Sequence, residues 1–171
     1  SGDAFRALAP GLEHVHVAEL GGEVFRFDLS RFRADVVVTG AEAARTATQL
    51  RATLGAVAAV NGGFFDTAGR SLGLRISDGR TMIGLRPRVD WGVLVVRDDH
   101  ASIVHSKSFA PEPGITAAIQ VGPRLLVDGQ PTPLKPQWAR RSAVALDREG
   151  RKLAIVVTRR SVEAAALAGV L

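Results

Sequence analysis

The chain has 171 residues and no cysteine, which excludes disulfide bonds, thiolate nucleophiles and cysteine metal sites. Its hydrophobic content of 46% is too high for a disordered chain, and no apolar run approaches the roughly 20 residues that a membrane-spanning helix needs. The net charge of +5 favours anionic partners such as phosphates. The arginines are scattered, whereas nucleic-acid binders usually carry a basic stripe, so nucleic acid is not expected as a partner.

Alternation of apolar and polar residues predicts β-strands along most of the chain, joined mainly by tight turns. Asp78-Gly79 and Asp128-Gly129 supply the positive φ angles that such turns need. The predicted strands cover residues 12–17, 23–29, 34–38, 56–60, 72–77, 80–83, 91–96, 102–105, 116–121, 125–127, 142–146 and 153–157.

Two helices are predicted, one early and one late. The early helix begins at a capping box, Thr39 to Glu42, and ends at Gly55. One apolar face of it carries Ala43, Ala47, Leu50 and Leu54. Ser161 caps the late helix, which contains Val162, Ala166 and Val170. Few helices on a mixed, mostly antiparallel sheet predict an α+β fold, as a single domain over residues 1–171.

The sharpest local motif is Asn61-Gly62-Gly63-Phe64-Phe65-Asp66, directly after a predicted strand. The two glycines allow backbone N–H groups to come close to a ligand. Asn61 offers a donor and an acceptor, and Asp66 can accept sugar hydroxyls or stabilise positive charge. The alternative is an ordinary Asn-Gly turn followed by two core phenylalanines.

A second motif is Gly122-Pro123, which is followed by the hairpin around Asp128-Gly129. A rigid Gly-Pro corner before a hairpin can shape the wall of a pocket. Considered in isolation, the pair is more typical of a structural turn.

A third motif is Arg140-Arg141-Ser142, at the start of a predicted strand. The planar fork of arginine matches phosphate oxygens, and the adjacent serine hydroxyl can add a hydrogen bond. The alternative is an arginine that faces solvent at the start of a strand.

His14 and His16 point to the same face of a predicted strand, with the spacing of a possible metal pair. No third ligand lies nearby in sequence, so surface histidines are the favoured interpretation and no metal ligand is assigned. No cofactor is predicted, although a divalent cation remains compatible with the sequence.

Taken together and in order, these stretches resemble the phosphodiester glycosidase family, which includes the enzyme that uncovers mannose 6-phosphate by removing N-acetylglucosamine. The resemblance covers about half of the chain. The residues that carry it are 59–66, Leu72-Gly73-Leu74 with Asp78-Gly79, 120–123 with Asp128-Gly129, and 141–147.

The resemblance implies hydrolysis between an anomeric carbon and a phosphate oxygen, with the three motifs converging on one anion-accepting pocket. Asp66 and Arg141 are the catalytic candidates, with Arg141 binding the phosphate. The implied substrate-binding residues are Asn61, Gly62, Gly63, Phe64, Gln120, Gly122, Pro123 and Ser142.

In the family that the sequence resembles, the last helix leads to a strand with an Asp-Gly-Gly-Ser motif, and this sequence does not contain it. The chain is therefore expected to be C-terminally incomplete. Two alternatives follow: a non-catalytic module that binds phosphosugars or polysaccharides, and one chain of a two-chain assembly that completes the sheet. The resemblance also implies a secreted or cell-envelope protein that acts on cell-wall material or exopolysaccharide.

Overall fold

A computed structural model describes residues 4–171 of the chain. The fold is 13% helical and 38% strand, with mostly antiparallel sheets, which confirms the α+β prediction. The α-helices of the described residues are α1 (Ala47–Leu54) and α2 (Ala164–Ala168), and short 3-10 helices lie at Ala18–Leu20, Ala41–Ala43 and Ser106–Ser108. The strands are β1 (Arg6–Ala9), β2 (Leu12–Val17), β3 (Gly22–Asp28), β4 (Phe64–Phe65), β5 (Ser71–Leu72), β6 (Arg75–Ser77), β7 (Arg80–Ile83), β8 (Gly92–Val96), β9 (Ala101–His105), β10 (Ala117–Val121), β11 (Leu126–Val127), β12 (Gln130–Pro131), β13 (Trp138–Ala139), β14 (Ser142–Leu146), β15 (Lys152–Thr158) and β16 (Val162–Glu163).

The chain divides into two compact units. Of the described residues, the first unit contains 4–34, 98–102 and 123–171, and the second contains 35–97 and 103–122. That the whole chain forms one domain stays a prediction.

The first unit is built on an antiparallel sheet with the strand order β1-β2-β3-β15-β14. Val15 of β2 is buried in the core, while His14 is half-buried and His16 is exposed on the opposite face of the strand. The central strands β2, β3 and β15 contribute buried side chains to one hydrophobic core. That core consists of Val15, Leu20, Val24, Val156, Val162 and Leu167.

The sheet of the second unit has the order β7-β6-β10-β8-β9. All five residues of β8 are buried, so its side chains need apolar neighbours on both faces. Asp78 and Gly79, between β6 and β7, have φ angles of 47° and 71°, which confirms the predicted hairpin turn. The core of this unit consists of Leu74, Ile76, Val93, Val95, Ile115 and Ala118.

Two predicted strands are wrong. Residues 34–38 and 56–60 form no strand, because neither segment has a strand partner within residues 4–171. Exposure alternates along 34–38, so the side chains follow a strand-like period without a sheet. In the second segment Val57 is 60% exposed, which excludes the inner position that its apolar character suggested.

The predicted start of the first helix is also wrong. The helix begins at Ala47, and its capping box is Thr46 with Gln49: the Thr46 Oγ1 accepts from the Gln49 N–H, and the Gln49 side chain accepts from the Thr46 N–H. Gly55 ends the helix in the left-handed conformation, as predicted.

The late helix is shorter than predicted, since Val162 belongs to β16 and pairs with Ala139 of β13. The helix has no side-chain cap, and Ser161 does not begin it: the residue at its N-cap is Glu163.

Candidate active site

The Asn61–Asp66 motif forms an exposed turn that leads into the short β4–β5 hairpin. Gly63 has a φ angle of 75°, which favours glycine. The space that a Gly63 side chain would occupy is filled by the guanidinium of Arg75 in β6. The glycine therefore serves two purposes, a left-handed turn and close approach of a buried cation.

The structure brings this turn and the end of β10 together within the second unit. A Cβ atom on Gly62 would lie 2.8 Å from Cδ1 of Ile119, so the glycine packs directly on β10. The ring of Trp91 contacts Phe64 edge-on at 4.9 Å and also fills the place of a Gly122 side chain. Two motifs that are separated in sequence thus share one part of this unit.

Gln120 is completely buried, and its amide links three segments of the second unit. Oε1 accepts hydrogen bonds from the backbone N–H groups of Leu74 and Arg86, both at 3.0 Å. Nε2 donates to the Arg86 carbonyl oxygen and to the Ser106 Oγ, both at 2.8 Å. The amide positions the segments around it, and its contact with a substrate stays a prediction.

Asp66 organises the loop between β4 and β5. Its Oδ1 accepts from the N–H groups of Ala68 and Arg70 at 2.9 and 3.0 Å, and its Oδ2 accepts from Nε of Arg70 at 2.8 Å. The hydrogen bond from the Arg70 N–H is the largest of several effects that hold the pKa of Asp66 below the usual value of an aspartate. The carboxylate is therefore ionised at neutral pH.

The two phenylalanines of the motif are not core residues. Phe64 is 41% exposed and Phe65 is 73% exposed, which excludes the interpretation as a plain turn followed by core side chains. Large apolar side chains that remain exposed next to a polar turn are typical of ligand-binding surfaces.

Arg141 and Ser142 lie at the start of β14 in the first unit. The Arg141 guanidinium donates to two backbone carbonyl oxygens, from Nη2 to Gln137 at 2.7 Å and from Nε to Val162 at 3.5 Å. Pro123 also belongs to this unit and is exposed. That these residues share one pocket with the Asn61 turn stays a prediction.

Trp138 is an exposed aromatic residue that the sequence interpretation did not single out. It is 69% exposed on β13, directly after Gln137, whose carbonyl oxygen accepts the hydrogen bond from Arg141. The available signal was a tryptophan shortly after the Pro-rich segment 131–136, which cannot donate ladder hydrogen bonds at its prolines.

The two predicted strand histidines interact with one carboxylate. His14 Nε2 lies 2.7 Å from Oε2 of Glu23, and His16 Nδ1 lies 3.1 Å from Oε1. The hydrogen bond from His14 is the main cause of the lowered pKa of Glu23. Among residues 4–171, no group of three or more His, Asp or Glu side chains is arranged to hold a metal ion.

The first unit also contains an open cleft of about 510 Å³ beside β1 and β2. None of the predicted site residues lines it. Its polar side chains are Glu13, Arg26, Asp28 and Lys152, and the first two form an ion pair at 2.7 Å.

The chain belongs to the phosphodiester glycosidase family, whose family model matches residues 54–170. This match covers more than half of the chain and includes the Asn61–Asp66, Gly122-Pro123 and Arg140-Arg141-Ser142 motifs. It confirms the resemblance drawn from the sequence and indicates phosphodiester glycosidase activity in general. No curated protein matches the chain.

The described part of the chain contains no helix that is both long and apolar enough to cross a bilayer.

Proposed function

We propose that this protein hydrolyses the bond between the anomeric carbon of a sugar and a phosphate oxygen in a sugar-1-phosphodiester. The observation that carries the proposal is the packing of the Asn61–Asp66 turn against the end of β10, in a member of the phosphodiester glycosidase family. The net charge of +5 supports an anionic substrate.

In this reaction an oxygen of water forms a bond to the anomeric carbon, and the bond from that carbon to the phosphate oxygen breaks. The electron pair leaves with the phosphate monoester, and the proton of the water passes to solvent. Because the phosphate monoester is a good leaving group, protonation by an acid matters less than in an ordinary glycosidase. The main tasks of the protein are to bind the phosphate and to stabilise oxocarbenium-like positive charge.

Asp66 suits the second task, because its carboxylate remains ionised and can stabilise a cation. Its low pKa makes it a poor proton donor, and the leaving group does not require one. Asn61 and the N–H groups of Gly62 and Gly63 are proposed to position the sugar or the phosphate.

The aromatic and wall-forming residues are proposed to hold the sugar. Phe64 offers an exposed apolar face. Gly122 and Pro123 are proposed to form a rigid wall of the site. The buried Gln120 amide holds the segments around Leu74 and Arg86 in place through its hydrogen bonds.

Arg141 is proposed to bind the phosphate, with the Ser142 hydroxyl adding a hydrogen bond. A guanidinium has more N–H groups than its bonds to the Gln137 and Val162 carbonyl oxygens use. Arg141 can therefore keep these backbone contacts while it binds an anion.

The first test identifies the products that the full-length protein forms from a nitrophenyl ester of a sugar 1-phosphate. Cleavage at the anomeric carbon releases the free sugar and nitrophenyl phosphate, whereas attack at phosphorus expels the better leaving group, nitrophenol, and forms the sugar 1-phosphate. We expect free sugar and nitrophenyl phosphate, measured by chromatography. Binding of the ester without any cleavage would contradict the proposal and favour a non-catalytic binding module.

The second test is Asp66→Asn, which removes the negative charge but keeps an oxygen that can accept hydrogen bonds in the loop. We expect kcat to fall about 100-fold or more, as removal of one electrostatic group at a reacting centre does elsewhere. The matched control is Asp147→Asn, because Asp147 Oδ1 accepts from the N–H groups of Arg151 and Lys152 in a comparable turn. Equal kcat values in the two variants would remove Asp66 from the mechanism.

The family resemblance supports a place outside the cytoplasm, with cell-wall or exopolysaccharide phosphodiesters as the natural substrates. Fractionation of the source cells tests this part: we expect the protein in the envelope or the medium, and recovery in the cytoplasm alone would contradict it.

A further inference from the structure

Arg75 is a buried arginine with an unused hydrogen-bond donor. Only 3% of its surface is exposed. Its Nη1 donates to the carbonyl oxygens of Gly73, Leu74 and Gln120 at 3.2, 2.8 and 3.1 Å. Its Nη2 is buried and makes no hydrogen bond with any residue in the described part of the chain.

A buried charge is unfavourable unless an opposite charge accompanies it. Burial is the cause of the lowered pKa of Arg75, and no acidic group contributes to that shift. Arginine nevertheless stays protonated at neutral pH. The carbonyl dipoles around Nη1 offset part of the charge, and the N–H groups of Nη2 remain available to an anion.

The unused donor lies directly under the glycine turn. Nη2 occupies the position of the missing Gly63 side chain, so it lies against the backbone of the turn. Gly62 is exposed, and Gly63 is half-buried with a left-handed φ angle. Glycine has wide conformational freedom, so this backbone can shift relative to the guanidinium.

We propose that Arg75 is an oxyanion receptor, whose Nη2 binds a phosphoryl oxygen of the substrate or of the phosphate product at the Gly62-Gly63 turn. This inference rests on the proposed function and deepens it. It adds a phosphate contact in the second unit to the contact that is proposed for Arg141 of the first unit. It also explains why a cation is buried in β6 between the apolar residues Leu74 and Ile76.

Titration of the full-length protein with inorganic phosphate tests the proposal, at constant ionic strength and with the backbone amide signal of Gly63 followed by NMR. In Arg75→Met the dissociation constant for phosphate should rise about tenfold or more, because a charge-assisted hydrogen bond is lost. The control is Arg80→Met, which makes the same change of charge at an exposed position of the neighbouring strand β7 and should bind phosphate as the wild type does.

Stability separates a binding role from a structural one. Without phosphate, Arg75→Met should melt close to the wild-type temperature, because removal of a buried charge without an acidic partner offsets the loss of its hydrogen bonds to three carbonyl oxygens. If Arg75→Met does not fold, Arg75→Lys decides, since it keeps the charge but lacks the second nitrogen. Wild-type phosphate affinity in the folded variant would overturn the proposal, and so would a Gly63 signal that does not respond to phosphate in the wild type.

The same variants distinguish this inference from the proposed function. If phosphate binding depends on Arg75 but the protein cleaves no sugar-1-phosphodiester, the role of Arg75 in phosphate binding is supported and the proposed hydrolysis is contradicted. If Arg75→Lys cleaves the substrate with the KM of the wild type, the proposed hydrolysis is supported and the role of Arg75 in phosphate binding is contradicted.

Discussion

Replacement of Gln120 by leucine should destabilise the protein by about 3 kcal/mol or more. Leucine has a similar size but no polar atoms, so the buried Leu74 N–H and the Arg86 backbone groups lose their partners. Each buried polar group left without a hydrogen bond costs about 1–3 kcal/mol. For a chain of this length the loss corresponds to a fall in melting temperature of about 10 °C, measured by calorimetry.

The control for this variant is Gln130→Leu, at an exposed position of the β11–β12 hairpin. A surface substitution of this kind changes stability by about 0.5 kcal/mol or less. Equal melting temperatures in the two leucine variants would contradict the role of Gln120 as the amide that joins these segments.

Replacement of Arg141 by alanine should lower turnover of a sugar-1-phosphodiester by about 100-fold or more, because a positive charge that binds the phosphate is lost. The substitution also removes hydrogen bonds to the Gln137 and Val162 carbonyl oxygens. Since Gln137 is exposed, we expect a loss of stability of only about 1–2 kcal/mol. Steady-state kinetics and thermal unfolding of the same sample measure both effects.

Arg140→Ala is the matched control for the arginine pair, because Arg140 is exposed and precedes Arg141 directly. It should keep wild-type kinetics. Normal turnover in Arg141→Ala would remove this arginine from the mechanism. Arg141→Lys distinguishes the two roles: partial recovery of turnover favours phosphate binding, whereas recovery of stability alone favours a structural arginine.

Local chemistry made much of the fold predictable. The Asp78-Gly79 and Asp128-Gly129 turns follow from short-range backbone preferences, and the residues on either side pair with each other as expected. The same holds for β14 and β15, which are joined across Gly150. Hairpins of this kind need no information from distant parts of the chain.

The errors came from features that depend on distant partners or on competing local signals. Residues 34–38 and 56–60 have the composition of strands, but a strand requires a neighbouring backbone that the sequence pattern does not reveal. The sequence contains two capping-box patterns that could start the first helix, one at Thr39 and one at Thr46. The one at Thr39 is followed by Gly40, a poor helix former, and the one at Thr46 is followed by alanine.

The candidate site was predictable where a motif is contiguous and not where residues meet through the fold. The Asn61–Asp66 turn is evident from its glycines. Arg75 was missed, because the sequence indicates only that a charged residue interrupts the apolar pair Leu74 and Ile76. Its place beneath Gly63 depends on the packing of β6 against the turn, which no local pattern encodes.

Hydrolysis of a sugar-1-phosphodiester in ¹⁸O-labelled water tests the proposed bond cleavage most directly. If water attacks the anomeric carbon, the oxygen that joins sugar and phosphate stays with phosphorus, and ³¹P NMR of the phosphate monoester should show no ¹⁸O. Label in the phosphate product would mean attack at phosphorus and would contradict a glycosidase.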